Sequence, residues 1–80
     1  MKTVSIQYFA MLREKSGKSK EEYQTESLTY ADLYRELNEL YNFDLPLSMI
    51  QVAINDEYSN VERNLNDGDR VVYIPPVAGG

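Results

Sequence analysis

Val4, Ile6 and Tyr8 alternate with Thr3, Ser5 and Gln7, the period of two that lets a strand bury one face. Met11-Leu12-Arg13-Glu14 leaves the alternation, and Ser16-Gly17-Lys18-Ser19-Lys20 is turn or loop chemistry. Glu21 to Ser27 is a weaker strand whose best β-formers are Tyr23 and Thr25. These segments predict an opening hairpin closed by a glycine-containing loop. Thr29-Tyr30-Ala31-Asp32 then has the spacing of a helix cap, a hydroxyl followed three residues on by an acid. Tyr30, Leu33, Tyr34, Leu37, Leu40 and Tyr41 recur at helical spacing as one apolar stripe, with Glu36, Asn38 and Glu39 on the other side. The helix should stop near Asn42, because Pro46 follows shortly.

Ile50, Val52 and Ile54 restore the period of two over residues 50–55, and Asn55-Asp56-Glu57 is turn chemistry. A second turn falls at Leu65-Asn66-Asp67-Gly68-Asp69, where Gly68 can take a positive φ. Arg70 to Ile74 holds Val71, Val72, Tyr73 and Ile74 in succession, the nearly continuous apolar run of a central strand. The order is strand, strand, helix, strand, short segment, strand. One helix packed across one mixed sheet is the economical way to bury these faces. The expected fold is α+β, a β-grasp (ubiquitin-like) domain over residues 1–74 with an extended tail over residues 75–80.

Composition narrows the chemistry. Eighty residues make one small domain, which buries about 63% of its unfolded surface and has no room for a deep catalytic cavity of its own. Cysteine and histidine are both absent, which removes thiolate nucleophiles, zinc–thiolate and iron–sulfur sites, imidazole ligands and the usual general base. Thirteen acidic residues against eight basic give a net charge of −5, the wrong sign for nucleic acid. The sequence shows no secretory signal and no apolar run long enough to cross a bilayer, so a cytoplasmic protein is expected.

The remaining candidate is the tail, Pro75-Pro76-Val77-Ala78-Gly79-Gly80. Two prolines cannot donate ladder hydrogen bonds, so the last strand ends there and a stiff stem leaves the body. Gly79 and Gly80 carry no Cβ and pass where side chains cannot. The six residues after Ile74, fully extended, reach at most about 20 Å, enough to enter a partner's active site. Small residues near a chain end often have no function; the stem placed directly after the last strand argues for one here. An ionised carboxylate on Gly80 is a poor electrophile. A nucleotide-dependent partner would have to activate it as an acyl-adenylate, after which an amine or a sulfur donor could be accepted.

Three stretches resemble the small subunit of molybdopterin synthase, the MoaD sulfur-carrier family. They are Tyr8-Phe9-Ala10-Met11-Leu12-Arg13-Glu14, then Val52-Ala53-Ile54-Asn55 with Leu65-Asn66-Asp67-Gly68-Asp69-Arg70-Val71, and the Pro75-to-Gly80 tail. The resemblance implies that a ubiquitin-activating-like adenylyltransferase uses ATP to activate Gly80 and that a sulfur donor makes the thiocarboxylate. It further implies that the tail, with Gly79 and Gly80 at the reacting end, enters the large subunit of molybdopterin synthase in a heterotetramer. There sulfur passes to a cyclic pterin monophosphate, and two transfers build the molybdopterin dithiolene. Catalytic side chains would come from the large subunit, and this chain would bind no cofactor or metal of its own. A carrier for thiamine or tRNA thiolation, a modifier joined to lysines, and a non-covalent interaction module remain as alternatives.

Strand parity places the expected partner surface. With Val4, Ile6 and Tyr8 inward, Phe9 is expected to point out; with Val71 and Tyr73 inward, Val72 and Ile74 join it, and Tyr58 is expected to extend the patch, followed by Pro75, Pro76, Val77 and Ala78. A one-residue slip would exchange the faces and make Phe9 core. Tyr30, Tyr34 and Tyr41 read as core, Asp67 and Asp69 as turn residues rather than cation ligands, and Lys15, Lys18 and Lys20 as solvated. Arg13 reads equally as a partner-facing charge or as half of an internal ion pair.

Overall fold

The computed structural model describes residues 1–76. Alternation in the first segment becomes strand β1 (Lys2–Tyr8), with Val4, Ile6 and Tyr8 buried. It pairs antiparallel with β2 (Lys20–Thr25), Val4 facing Tyr23. The connection is not a simple loop: a short helix α1 (Ala10–Ser16) fills it and buries Leu12. Gly17 ends α1 in the left-handed region at φ 79 and donates to the Arg13 carbonyl at 2.9 Å. Lys15 thus lies on α1, Lys18 in the turn and Lys20 on β2, all exposed.

Helix α2 (Tyr30–Tyr41) starts where the cap spacing places it. The Thr29 hydroxyl accepts from the Asp32 amide at 3.1 Å, and Asn42 closes the helix at φ 56. Tyr30, Leu33, Tyr34 and Leu37 are buried against the sheet. Two expectations for this helix are corrected. Leu40 is 57% exposed and lies outside the stripe. Glu36 is not a solvated residue of the far side: it turns toward β2 and accepts from Tyr23, Thr25 and Ser27 at 2.6, 2.8 and 3.0 Å. A polar β2 offers hydroxyls at this contact, and the carboxylate satisfies them.

A single 3-10 turn over Leu47–Met49 leads into β3 (Gln51–Ile54), which forms a hairpin with β4 (Glu57–Ser59). Asn55 and Asp56 both have positive φ, 52 and 75, the conformation that a two-residue hairpin turn demands. β5 (Arg70–Ile74) then inserts between β1 and β3, parallel to β1 and antiparallel to β3. The five strands run in the order β2-β1-β5-β3-β4, so the most apolar strand is the central one. Its buried residues, Val71 and Tyr73, sit opposite Ile6 and Tyr8 of β1 and Ile54 and Val52 of β3. Each fully buried aliphatic side chain of this layer contributes about 1.5–3 kcal/mol through its loss of contact with water.

Asp69 is also more than a turn residue. It is buried and receives the Tyr30 hydroxyl, the Asn55 side-chain amide at 3.0 Å and the Asn66 backbone amide at 3.1 Å. Asp67, in contrast, caps the start of β1, its carboxylate accepting from the Thr3 amide at 2.7 Å.

Candidate functional site

The parallel pairing of β1 with β5 puts Tyr8 beside Tyr73 as its last matched pair. One residue further along each chain stand Phe9 and Ile74, both turned to the sheet face opposite α2 because side chains alternate along a strand. Phe9 is 43% exposed and Ile74 is half-buried. They share a groove of about 460 Å³ with Ala10, Met11, Glu14, Pro75 and Pro76. Pro75, expected in an exposed stem, is instead buried; Pro76 is exposed. The first proline therefore packs the exit and the second presents it to solvent. Val77, Ala78, Gly79 and Gly80 lie outside the described residues.

Tyr58 is 75% exposed but does not line this groove. It pairs with Ala53, which pairs with Val72, which pairs with Gln7. One row across the outer face thus runs from Gln7 through half-buried Val72 and Ala53 to Tyr58 on the far edge strand. The row borders the groove through Val72, two residues before Ile74. A larger depression of about 590 Å³ on the same face is lined by Ser5, Gln7, Lys20, Glu22, Asp56 and Arg70 among others. Its charges are partly spent internally: Arg70 pairs with Asp56 at 2.9 Å and Ser5 donates to Glu22 at 3.3 Å. The smaller groove at the tail root is the more apolar surface and the one continuous with the tail.

Of the residues expected at a partner surface, Phe9, Ile74, Pro75 and Pro76 come together in this groove, and Ala10, Met11 and Glu14, which the sequence pattern does not single out, line it with them. These three reach the groove only because the chain turns into α1 immediately after Phe9. Arg13 is exposed and makes no ion pair among the described residues.

The ionisable groups of the inner layer are structural. Burial pushes the Glu21 carboxyl up, but the Tyr8 and Tyr41 hydroxyls, donating at 2.6 and 2.7 Å, together with nearby Lys18, outweigh it and hold Glu21 below the usual carboxylate range. Glu36 and Asp69 are lowered in the same way, by Tyr23, Thr25 and Ser27 and by Tyr30, Asn55 and Asn66. Tyr8, Tyr23, Tyr30, Tyr34, Tyr41 and Tyr73 move in the opposite direction, chiefly through burial, Tyr34 to about 12. No group of three or more acidic, histidine or cysteine side chains among the described residues is placed to hold a metal ion, and no helix among them is long and apolar enough to cross a membrane.

The strand order β2-β1-β5-β3-β4, with one long helix crossing the sheet, defines a ubiquitin-like β-grasp domain. The chain belongs to the ThiS family, whose model matches residues 6–80. No curated protein matches it in sequence. Among solved structures, a putative molybdopterin converting factor, subunit 1, from Pyrococcus furiosus superposes with a TM-score of 0.79 at 28% identity, covering 96% of this chain and 100% of that one. SAMP1 from Haloferax volcanii gives 0.77 at 22% identity, covering 98% and 99%. A complex of subunits 1 and 2 of the molybdopterin-converting factor from Helicobacter pylori contains a chain with a TM-score of 0.65 at 24% identity, covering 98% and 99%.

Proposed function

We propose that this chain is the sulfur-carrier subunit of a molybdopterin synthase, acting in the cytoplasm. An ATP-dependent adenylyltransferase converts the Gly80 carboxylate to an acyl-adenylate with release of pyrophosphate. A sulfur donor displaces AMP to leave a thiocarboxylate. The charged carrier docks on the large subunit, two carriers to a heterotetramer, and gives its sulfur to the cyclic pterin monophosphate precursor. The catalytic side chains come from the large subunit; this chain supplies the reacting acyl group and the surface that delivers it.

The observation that carries this reading is the apolar groove at the root of the tail, with Phe9 and Ile74 on its walls. An exposed apolar surface on a small acidic domain invites a partner, and a partner seated there is aligned with the chain that leaves Pro76. Support also comes from the family match, which runs through both terminal glycines, and from the Pyrococcus furiosus neighbour named as a molybdopterin converting factor subunit.

The deciding experiment incubates the thiocarboxylated protein with the pterin precursor and a molybdopterin synthase large subunit, beside an active control carrier. Molybdopterin formation is expected. Failure where the control succeeds sinks the molybdopterin reading. Intact-mass analysis of the protein from cells separates the broader alternatives: replacement of one terminal oxygen by sulfur marks a carrier of any pathway, and attachment to lysines of other proteins marks a modifier.

A further inference from the structure

Ala10 has φ 51. The left-handed region is costly for a residue with a Cβ and is used there mainly by glycine, asparagine and aspartate. The other non-glycine residues with positive φ are Asn42, Asp44, Asn55 and Asp56, all of the tolerant types. Ala10 alone among the described residues lacks that excuse. Its place in the fold is specific: it follows Phe9, which is still extended at φ −122 and ψ 153, and it lines the tail-root groove.

Had β1 continued in register past Tyr8–Tyr73, Phe9 would pair with Ile74 and Ala10 would reach Pro75, which has no amide hydrogen to offer a ladder. The left-handed turn takes the chain off the sheet at that point. The Phe9 carbonyl then accepts from the Leu12 and Arg13 amides at 3.0 and 3.4 Å, starting α1 without any side-chain cap. Leu12 drops into the core, Met11 becomes half-buried against the groove, and Phe9 is left pointing out. Strain held in one backbone position thereby opens the space between α1 and the tail root. Such strain persists only where surrounding packing over-determines it, and it concentrates at working sites.

We infer that Ala10 is a positioning residue for partner docking: its left-handed backbone, rather than its methyl group, aims Phe9 and Met11 at the groove from which the tail departs. The inference rests on the molybdopterin-synthase reading and adds to it a residue outside the tail.

Two variants test it, Ala10→Gly and Ala10→Val, each measured for its dissociation constant toward a molybdopterin synthase large subunit and for its melting temperature. Glycine keeps the turn without the methyl and is expected to dock within twofold of wild type, with a melting temperature equal or higher. Valine resists the left-handed region and is expected to dock at least tenfold more weakly, with amide chemical-shift changes confined to residues 9–16 and the tail root. Ala10→Val docking like wild type overturns the inference. So does Ala10→Gly docking as weakly as Ala10→Val, because the methyl would then be what matters. An Ala10→Val chain that does not fold overturns it too, since an exposed position would then hold the fold rather than the docking face. A wild-type chain that binds no such subunit overturns the molybdopterin-synthase reading and takes this inference with it, which distinguishes the two failures.

Discussion

The Tyr30 hydroxyl donates to the Asp69 carboxylate, joining the first turn of α2 to the turn that precedes β5. The Tyr73 hydroxyl returns the link by donating to the Tyr30 carbonyl at 2.8 Å. Asn55 belongs to the same network, its amide donating to Asp69 and its carbonyl oxygen accepting from the Arg70 amide at 2.9 Å. One buried carboxylate thus ties the helix, the β3–β4 hairpin and the central strand together. Asp69→Ala strands three donors and is expected to lower stability by about 3 kcal/mol, read from urea denaturation. Combined with Tyr30→Phe, the double mutant should lose clearly less than the sum of the two singles. Additive losses would show that the pair is not coupled.

Stability should be nearly independent of pH over a broad neutral range. The chain has no histidine. Glu21, Glu36 and Asp69 are held below their ordinary values in the fold, so the stability they contribute is present above the unfolded carboxylate range, near 4.5 and 3.8, and is lost as pH falls through the lower folded values. Tyr8, Tyr23, Tyr30, Tyr34 and Tyr73 are raised; their contribution is complete below the ordinary tyrosine value of 10.0 and is lost as pH rises through the folded ones. Melting temperatures between pH 5.5 and 9 (the ~5–9 window left open by carboxylate and tyrosine titration) should form a plateau, with acid and alkaline flanks. A marked slope inside the plateau would contradict the assignment.

Phe9→Asp separates surface from core. Phe9 is partly exposed on the outer face, so the substitution should leave stability within about 0.5 kcal/mol of wild type while weakening docking on the large subunit at least tenfold. Tyr58→Ala, at the far edge of the same face, should weaken it less. A loss of several kcal/mol on Phe9→Asp would mean that the side chain is core after all.

Deleting Gly80, or adding one residue after it, should abolish sulfur transfer with an unchanged circular dichroism spectrum and melting temperature. Either change removes the acyl group from its reacting position while leaving residues 1–76 as they are. Undiminished transfer by either variant rules out chemistry at the Gly80 carbonyl.

Much of this architecture was readable from side-chain pattern alone. Val4, Ile6 and Tyr8 on one strand and Val71 and Tyr73 on another alternate so regularly that their burial, and therefore the exposure of Phe9, follows from parity. Thr29 announced its helix through a local hydrogen bond that needs no tertiary context. The misses share a cause. Helix α1 spans seven residues, buries Leu12 alone and has no side-chain cap, so it leaves no periodic trace. Glu36 was misplaced because helical periodicity sorts residues by polarity, and this acid is turned inward by hydroxyls of Tyr23, Thr25 and Ser27 that only the pairing of β2 brings near. The groove residues Ala10, Met11 and Glu14 escaped for the same reason as α1. The tail drew attention by its composition, but the wall beside it is made by tertiary structure.

Phe9 and Ile74 come from opposite halves of the sequence and meet only after the central strand has slotted between its neighbours. A full-length but unfolded chain carries every atom of the tail and still offers nowhere to land. A partner that recognises this groove would therefore distinguish folded molecules from unfolded ones.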